Sequence, residues 1–440
     1  MVIAVAIEQE VLVVGGGLAG TAAAITAARN GARTRLLSHK TSTLRSASGL
    51  IDVLGYRPDG EGPIADPFDA VPSLPADHPY RRAGVDALDA GLALFDDLVD
   101  GYAGDHTRAN ALVPTCGGWV KPTARYPTHV APGLASDDRP TLLVGFERLV
   151  GFDVGLAAAN LASAGVPFDV RGATVSFPGV SSADPKVHRF ARLLDADESL
   201  GGTSVRAALA DRIAAHLDGE ARVGLPAVLG EEHTKDIRRD LEAALGAAVF
   251  EIPMGPPSIP GMRLESQLSA ALEAAGVLVE TGNPAVGYEG TDGLVDSVLV
   301  DRNGSRVPYA AAEFVLATGG LVGKGVDSDR AGVREPVFDC HVPHPGDRYD
   351  WFDDEAFGDH PFAAFGVDVD RRMHPLSAGG DPEFGNLRAA GAVLGNYDYA
   401  AEKSGSGVSL ATGYRAGELA AEAARQDPGG EATGIGGERA

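Results

Sequence analysis

"VLVVGGGLAG", residues Val11 to Gly20, runs from four apolar residues through three glycines into an alanine-rich stretch. The apolar run, Val11–Val14, reads as a buried strand. The segment Leu18–Asn30 reads as a helix with Gly31 as its stop, and Ala32–Leu37 as a second strand. The spacing Gly15-x-Gly17-x-x-Gly20 gives each glycine a task. Gly15 permits the tight turn, Gly17 lets backbone amides approach a phosphate, and Gly20 lets the helix press on the strand. The backbone of Gly15, Gly16, Gly17, Leu18, Ala19 and Gly20 is therefore the expected anion site. It lies at the positive end of the helix, an effect of about 0.3–2 kcal/mol.

The second strand ends without the carboxylate that usually grips an adenosine ribose. Ser38 and His39, followed by Lys40, stand where that acid is expected. A carboxylate there would supply charge-assisted hydrogen bonds of about 1.5–3 kcal/mol. Its loss weakens a nicotinamide dinucleotide by roughly ten- to a hundredfold and favours a flavin. Three further stretches point the same way. "TSTLRSASGLIDVL" (Thr41–Leu54) offers Ser46, Ser48 and Gly49 to pass under an isoalloxazine ring. "FVLATGG" puts Thr318 and Gly319 at a strand end for a second close backbone approach. "EKSGSGVSLATGYRAG" sets Gly405, Gly407 and Val408 at a helix start, whose positive end suits the N1–C2=O edge of a reduced flavin.

Composition bounds the rest. The chain has 440 residues, 44% of them hydrophobic, enough for two domains. No apolar run reaches the roughly 18–20 residues of a membrane span, and "MVIAVAIEQEVLVV" lacks the basic start and cleavage site of a signal peptide. A soluble, intracellular protein is expected. Two cysteines, Cys116 and Cys340, are too few for a four-cysteine zinc site or an iron–sulfur cluster held by this chain alone, so no metal is expected and any redox chemistry must use an organic cofactor and pass its electrons to something else. The formal charge of −24 argues against nucleic acid. Only six of the 37 basic residues are lysines, and the acid excess reads as adaptation to strong salt, where repulsion between carboxylates is screened.

Strand and helix patterns alternate through the middle of the chain, which argues for a sheet layered with helices. The fold expected is α/β: a discontinuous Rossmann-like flavin-binding domain (1–55, 256–330 and 380–425) with an inserted α/β cap (56–255, with a return segment 331–379). The glycine-rich tail, 426–440, is expected to be disordered.

The series "VVGGGLAG", "SASGLIDVL", "PPSIPGMRL", "GVREPVF", "AFGVDVD", "AAGAVLGNYD" and "GSGVSLATG" resembles the B subunits of the anaerobic glycerol-3-phosphate dehydrogenases, from about Val11 to Ala424. With the acidic balance, the resemblance implies a halophilic archaeal source. It implies a flavin subunit, with FMN as first choice and FAD as the alternative. It also implies work beside the A subunit, a second flavoprotein, and the C subunit, an iron–sulfur protein at the cytoplasmic membrane. The implied reaction oxidises sn-glycerol 3-phosphate to dihydroxyacetone phosphate and sends electrons to quinone in anaerobic respiration. This chain would then be cytoplasmic and peripheral to the membrane through its partners. Two other readings stay open: a stand-alone flavin oxidoreductase of fumarate-reductase or ketosteroid-dehydrogenase type, and a non-catalytic assembly protein.

Oxidising a phosphorylated alcohol calls for a base and for cations. "GVREPVFDCHVPHPG" offers Arg334, Glu335, His341 and His344; "DRRMHPLSAGG" offers Arg371, Arg372 and His374; "PGMRL" offers Arg263. Arg334, His341, His374 and Arg263 are the candidates for catalysis. The bland alternatives are an Arg334–Glu335 ion pair, surface histidines beside prolines, and Arg263 capping a turn.

Overall fold

The structure, a computed structural model, describes residues 7–40, 42–104, 109–182 and 185–426. The expected tail beyond Gln426 thus lies outside the described residues. The opening strand extends backward into β1 (Ile7–Val14), followed by α1 (Leu18–Arg29) and β2 (Thr34–Ser38). Gly31 ends the helix at φ 91°, a conformation that costs a residue with a Cβ about 1–2 kcal/mol. The chain continues through α2 (Val85–Leu98) into β3 (Thr141–Phe146), α3 (Val154–Ser163) and β4 (Val170–Val175). Next come α4 (Val187–Ala196), α5 (Val205–Ala214), β5 (Arg222–Pro226), α6 (Thr234–Leu245) and β6 (Ala248–Ile252). After α7 (Ile259–Ala274) the strands are β7 (Leu278–Thr281), β8 (Ala285–Thr291), β9 (Leu294–Arg302), β10 (Ser305–Leu316) and β11 (Leu387–Ala389), and α8 (Gly405–Gln426) closes the described chain.

Seven strands form the first sheet, in the order β7-β2-β1-β10-β9-β8, with β11 also paired to β10. The run β7-β2-β1-β10 is parallel, whereas β10-β9-β8 are antiparallel hairpins. Asn303 and Gly304, both at positive φ, make the expected tight turn between β9 and β10. "EFVLATGG", expected as a strand of its own, is the second half of the 12-residue β10. That length lets one strand pair with β9 near its start and with β11 near its end. Val14 lies opposite both Leu37 and Leu316, so β1, β2 and β10 end along one edge of the sheet. Crevices at the carboxyl ends of parallel strands are where α/β sheets take ligands.

The second sheet, β6-β5-β3-β4, is wholly parallel and carries its own apolar core from Leu142 to Met262. Arg222, fully buried at the start of β5, donates to the carbonyls of Pro132, Leu134, Asp137 and Arg139 and lies 4.4 Å from the Phe168 ring centroid. It ties the connecting loop to this sheet. Helix α7 joins the bodies: Ile259 and Met262 pack in the second core, Leu264, Leu268 and Leu272 in the first.

The division between the cores differs from the expected one in two places. The proline-rich stretch after Tyr56 buries Val71, Leu74 and Tyr80, and α2 buries Leu88, Leu92 and Phe95, all in the first core. Within 331–379, Val337, Phe338, Val367 and Met373 join that core too. Turn residues mark both stretches as excursions, yet their spaced apolar side chains find cover in the first core, Phe338 for instance against Tyr288 of β8 and Phe314 of β10. Among the described residues no helix is long and apolar enough to cross a membrane.

Candidate functional site

At the shared edge of β1, β2 and β10 lies a cavity of about 220 Å³. Gly15, Gly16 and Gly17 line it, with Ser38 and His39 at the end of β2 and Thr318 and Gly319 beyond β10. Three stretches far apart in sequence thus meet at one place. Gly15 sits at φ 124°, and a Cβ on it would lie 2.0 Å from the Ala317 carbonyl oxygen. A Cβ on Gly20 would lie 1.8 Å from the Gly15 oxygen, so close packing of α1 on the turn requires glycine there. Gly17 is different. No atom lies within 4 Å of where its Cβ would be, so a side chain there would project into open space.

Helix α1 starts with no side-chain cap from Gly17 and no acid in its first turn. Its first amides are left to an outside acceptor, as at anion-binding helix starts. Leu18, Ala19 and Gly20 are buried in that first turn. Lys40 and Lys324, two of only six lysines, also line the cavity, and neither has an ion-pair partner among the described residues. In a chain of charge −24 such a pairing of cations marks an anion site. The Thr318 hydroxyl is buried there without a hydrogen-bond partner, an acceptor and donor left for a ligand. These residues fit the phosphates of a flavin coenzyme.

A second cavity, about 440 Å³, shares Gly16, Ser38, His39 and Lys40 and continues over Leu36, Thr281 and Gly282. The Ser38 hydroxyl bonds the Lys40 carbonyl at 3.1 Å. Sequence reasoning does not single out Asn283, Pro336 or Val337, which also wall the first cavity. Pro336 and Val337 belong to the "REPVF" stretch read above for substrate chemistry, not for the coenzyme. Glu335, fully buried, holds that wall by accepting from the Val337 and Phe338 amides at 2.8 and 2.7 Å. Burial pushes its carboxyl up to about 7.

The remaining coenzyme candidates lie elsewhere. Ser46 is exposed, Ser48 accepts from the Leu50 amide at 3.3 Å, and Gly49, at φ 79°, faces Pro260. None of the three lines either cavity. Gly405, Gly407 and Val408 open α8, where the Gly407 amide donates to Asp52 at 2.8 Å; a Cβ on Gly407 would lie 2.1 Å from the Tyr80 hydroxyl. They pack beside the Asp52–Val53 backbone, at the end of the same stretch as Gly49.

The four catalytic candidates do not converge. Arg334 is exposed and faces Asp329 and Asp327 at 3.4 and 3.8 Å, not Glu335. The His341 amide donates to Glu383 at 2.9 Å. His374 is buried against Asp370 at 3.3 Å, with its Nε2 unpartnered. Arg263 is largely buried between the cores, donates to the Gly230 carbonyl and to both oxygens of Glu251, and stands 3.0 Å from His129 Nε2. Four of its five N–H groups are thereby engaged and the fifth faces the His129 ring, which ties the guanidinium to Glu251 and not to a substrate phosphate. Burial tends to raise the Glu251 carboxyl, but Arg263 and His129 outweigh it and hold it well below the usual range. His129 stands 2.9 Å from Glu251, and burial lowers its imidazole. Nothing local marks His129 or Glu251 in advance, since residues 129, 251 and 263 meet only through the packing of β6 and α7.

The FAD binding domain family matches residues 10–408. Over 422 residues the chain is 61% identical to the probable anaerobic glycerol-3-phosphate dehydrogenase B subunit of Halobacterium salinarum, covering 95% of this chain and 99% of that protein. It is 30% identical over 419 residues to the B subunit of the Pectobacterium carotovorum enzyme (92% and 96% covered) and 29% over 427 residues to that of Vibrio cholerae (93% and 95%). The chain belongs to the FAD binding domain family and, within it, to the B-subunit family of anaerobic glycerol-3-phosphate dehydrogenases.

Proposed function

We propose that this chain is the flavin-bearing B subunit of an anaerobic-type glycerol-3-phosphate dehydrogenase. It takes part in oxidising sn-glycerol 3-phosphate to dihydroxyacetone phosphate, with electrons leaving to an iron–sulfur partner and then quinone. The observation that carries this reading is the meeting of Gly15–Gly17, Ser38–His39 and Thr318–Gly319 around one cavity, in a member of this family. The coenzyme we assign is FAD in place of FMN. The glycine turn offers its amides and two lysines to a pyrophosphate, and the adjoining cavity at the ends of β2 and β7 has room for an adenosine. A flavin mononucleotide would leave that second space unused.

When bound, the flavin supplies the two-electron acceptor. The residues of this chain hold and orient it. Amides of Gly16 to Gly20 would bond the pyrophosphate, Lys40 and Lys324 would neutralise it, and the Thr318 hydroxyl would donate to it. Ser38 and His39 would flank the ribose. The ring, extending beyond both cavities, would be met by the stretch that carries Ser46, Ser48 and Gly49 and by the start of α8 at Gly405, Gly407 and Val408, which pack together at Asp52–Val53. Arg263 positions Glu251 and His129 where the two cores meet and does not itself take substrate. Both cysteines are free, Cys340 buried and Cys116 partly so, which suits electrons leaving through clusters held by a partner. The partners proposed are the A and C subunits of the same dehydrogenase, with the chain at the cytoplasmic face of the membrane through them.

Mass spectrometry of the released coenzyme, followed by bleaching of the flavin band with glycerol 3-phosphate in the assembled complex, tests the reading. FAD and a bleached band support it. FMN overturns the coenzyme assignment, and a band indifferent to glycerol 3-phosphate overturns the reaction.

A further inference from the structure

Trp119, Val150, Leu156, Leu278 and Val322 are among the large apolar side chains exposed elsewhere on the chain, but one short stretch gathers four large aromatic ones. Between Asp347 and Phe362 the chain presents Tyr349 (81% exposed), Phe352, Phe357 and Phe362 (41%), with Phe357 fully exposed. Four large aromatic side chains within 14 residues form a concentration of apolar surface that isolated soluble chains avoid. This is not a frayed loop. Trp351 and Phe365 bracket it from inside, their rings 5.9 Å apart and edge-on, and both meet His344. The Trp351 indole donates to the Pro345 carbonyl at 2.8 Å, and the Asp353 amide donates to His360 at 3.1 Å. The segment is thus anchored by its inward aromatic residues while it displays its outward ones.

Charge narrows what covers it. Six acids lie between Asp347 and Asp359 against a single arginine, Arg348, which is turned over the Trp351 ring at 5.5 Å. A second copy of this chain docking by a two-fold axis would press this acidic rim against itself at contact distance, within even the roughly 3 Å screening length of strong salt. An anionic membrane surface would repel it likewise. A protein with apolar seats inside a rim of Arg and Lys matches both features.

We propose that Asp347–Phe362 is the surface on which another protein of the assembly docks, one with apolar pockets ringed by basic side chains. This rests on the reading of the chain as one member of a multi-subunit dehydrogenase. Exposed aromatic side chains that fill partner pockets act as hot spots, so truncating two of them weakens association by at least about tenfold.

The test compares hydrogen exchange of peptides covering 347–362 in the isolated full-length chain and in the complex purified through a tag on a sister protein of the assembly. It adds the double variant Phe352→Ser/Phe357→Ser, whose side chains are exposed and not part of the cores. Slower exchange of this segment in the complex, with the variant lost from the complex at wild-type flavin content and melting temperature, supports the proposal. Unchanged exchange in an intact complex, or a variant that assembles at wild-type stoichiometry, overturns the surface but leaves the multi-subunit reading standing. A wild-type chain that joins no sister protein overturns both. Self-association or vesicle binding that depends on Phe352 and Phe357 assigns the patch to another occupant and overturns the proposal.

Discussion

Gly413 of α8 stands directly on the Ala19 carbonyl of α1; a Cβ on it would lie 2.4 Å from that oxygen. One turn on, Gly417 repeats the contact with Ala23, at 2.3 Å. The C-terminal helix therefore braces the helix whose start forms the anion site, backbone against backbone. Gly413→Ala gains about 1 kcal/mol in helix propensity but forces the two helices apart. A rigid backbone clash of this kind costs about 1–3 kcal/mol or more. The expected net result is a lower denaturation midpoint in urea. A midpoint raised by the alanine would show that the helices do not touch there.

Arg263 makes a second prediction, one that separates a structural clamp from a substrate contact. Arg263→Met leaves Glu251, fully buried, with only His129, whose charged form burial disfavours, beside it. Breaking a buried ion pair from one side costs about 3–5 kcal/mol. The variant should unfold earlier with or without glycerol 3-phosphate present. If it keeps wild-type stability and loses only substrate affinity, as a raised KM, the clamp is refuted.

Glu335 gives a pH dependence. Burial lifts its carboxyl from 4.5 to about 7, so the folded chain holds this proton more tightly than the unfolded chain does. The stabilisation this supplies is complete below the ordinary value and is lost as pH rises through 7, on the order of 3 kcal/mol in all. Wild-type unfolding midpoints should therefore fall between pH 5 and 8 by more than those of Glu335→Gln. Parallel pH profiles for the two proteins would contradict it.

The reach of the sequence follows the range of the forces involved. The strand–turn–helix of Val11–Arg29 is local, set by glycine geometry and apolar periodicity, and the structure bears it out. The joining of Thr318 to that turn is legible because glycines closing a strand imply close backbone approach. The allegiance of Val71–Phe95 to the first core is not legible. Prolines and aspartates in the preceding stretch signal a linker, whereas Tyr80 is buried against the entry to α8, its hydroxyl donating to the Val53 carbonyl and standing 3.3 Å from that of Ser404, 324 residues away. Arg334 and Glu335 look like a pair because they are neighbours, yet consecutive residues of an extended segment point to opposite sides. Glu335 turns inward and Arg334 outward to Asp329. His129 and Glu251 carry no local signature at all.

The central claim, that the glycine turn holds the coenzyme's phosphates, is tested most directly by the flavin content of Gly17→Val. Gly17 has an ordinary extended backbone (φ −81°) and empty space where a side chain would go, so valine should be accommodated without loss of fold. The expected variant melts within a few degrees of wild type and carries little or no flavin after purification. A folded Gly17→Val protein with a full complement of flavin would contradict the account.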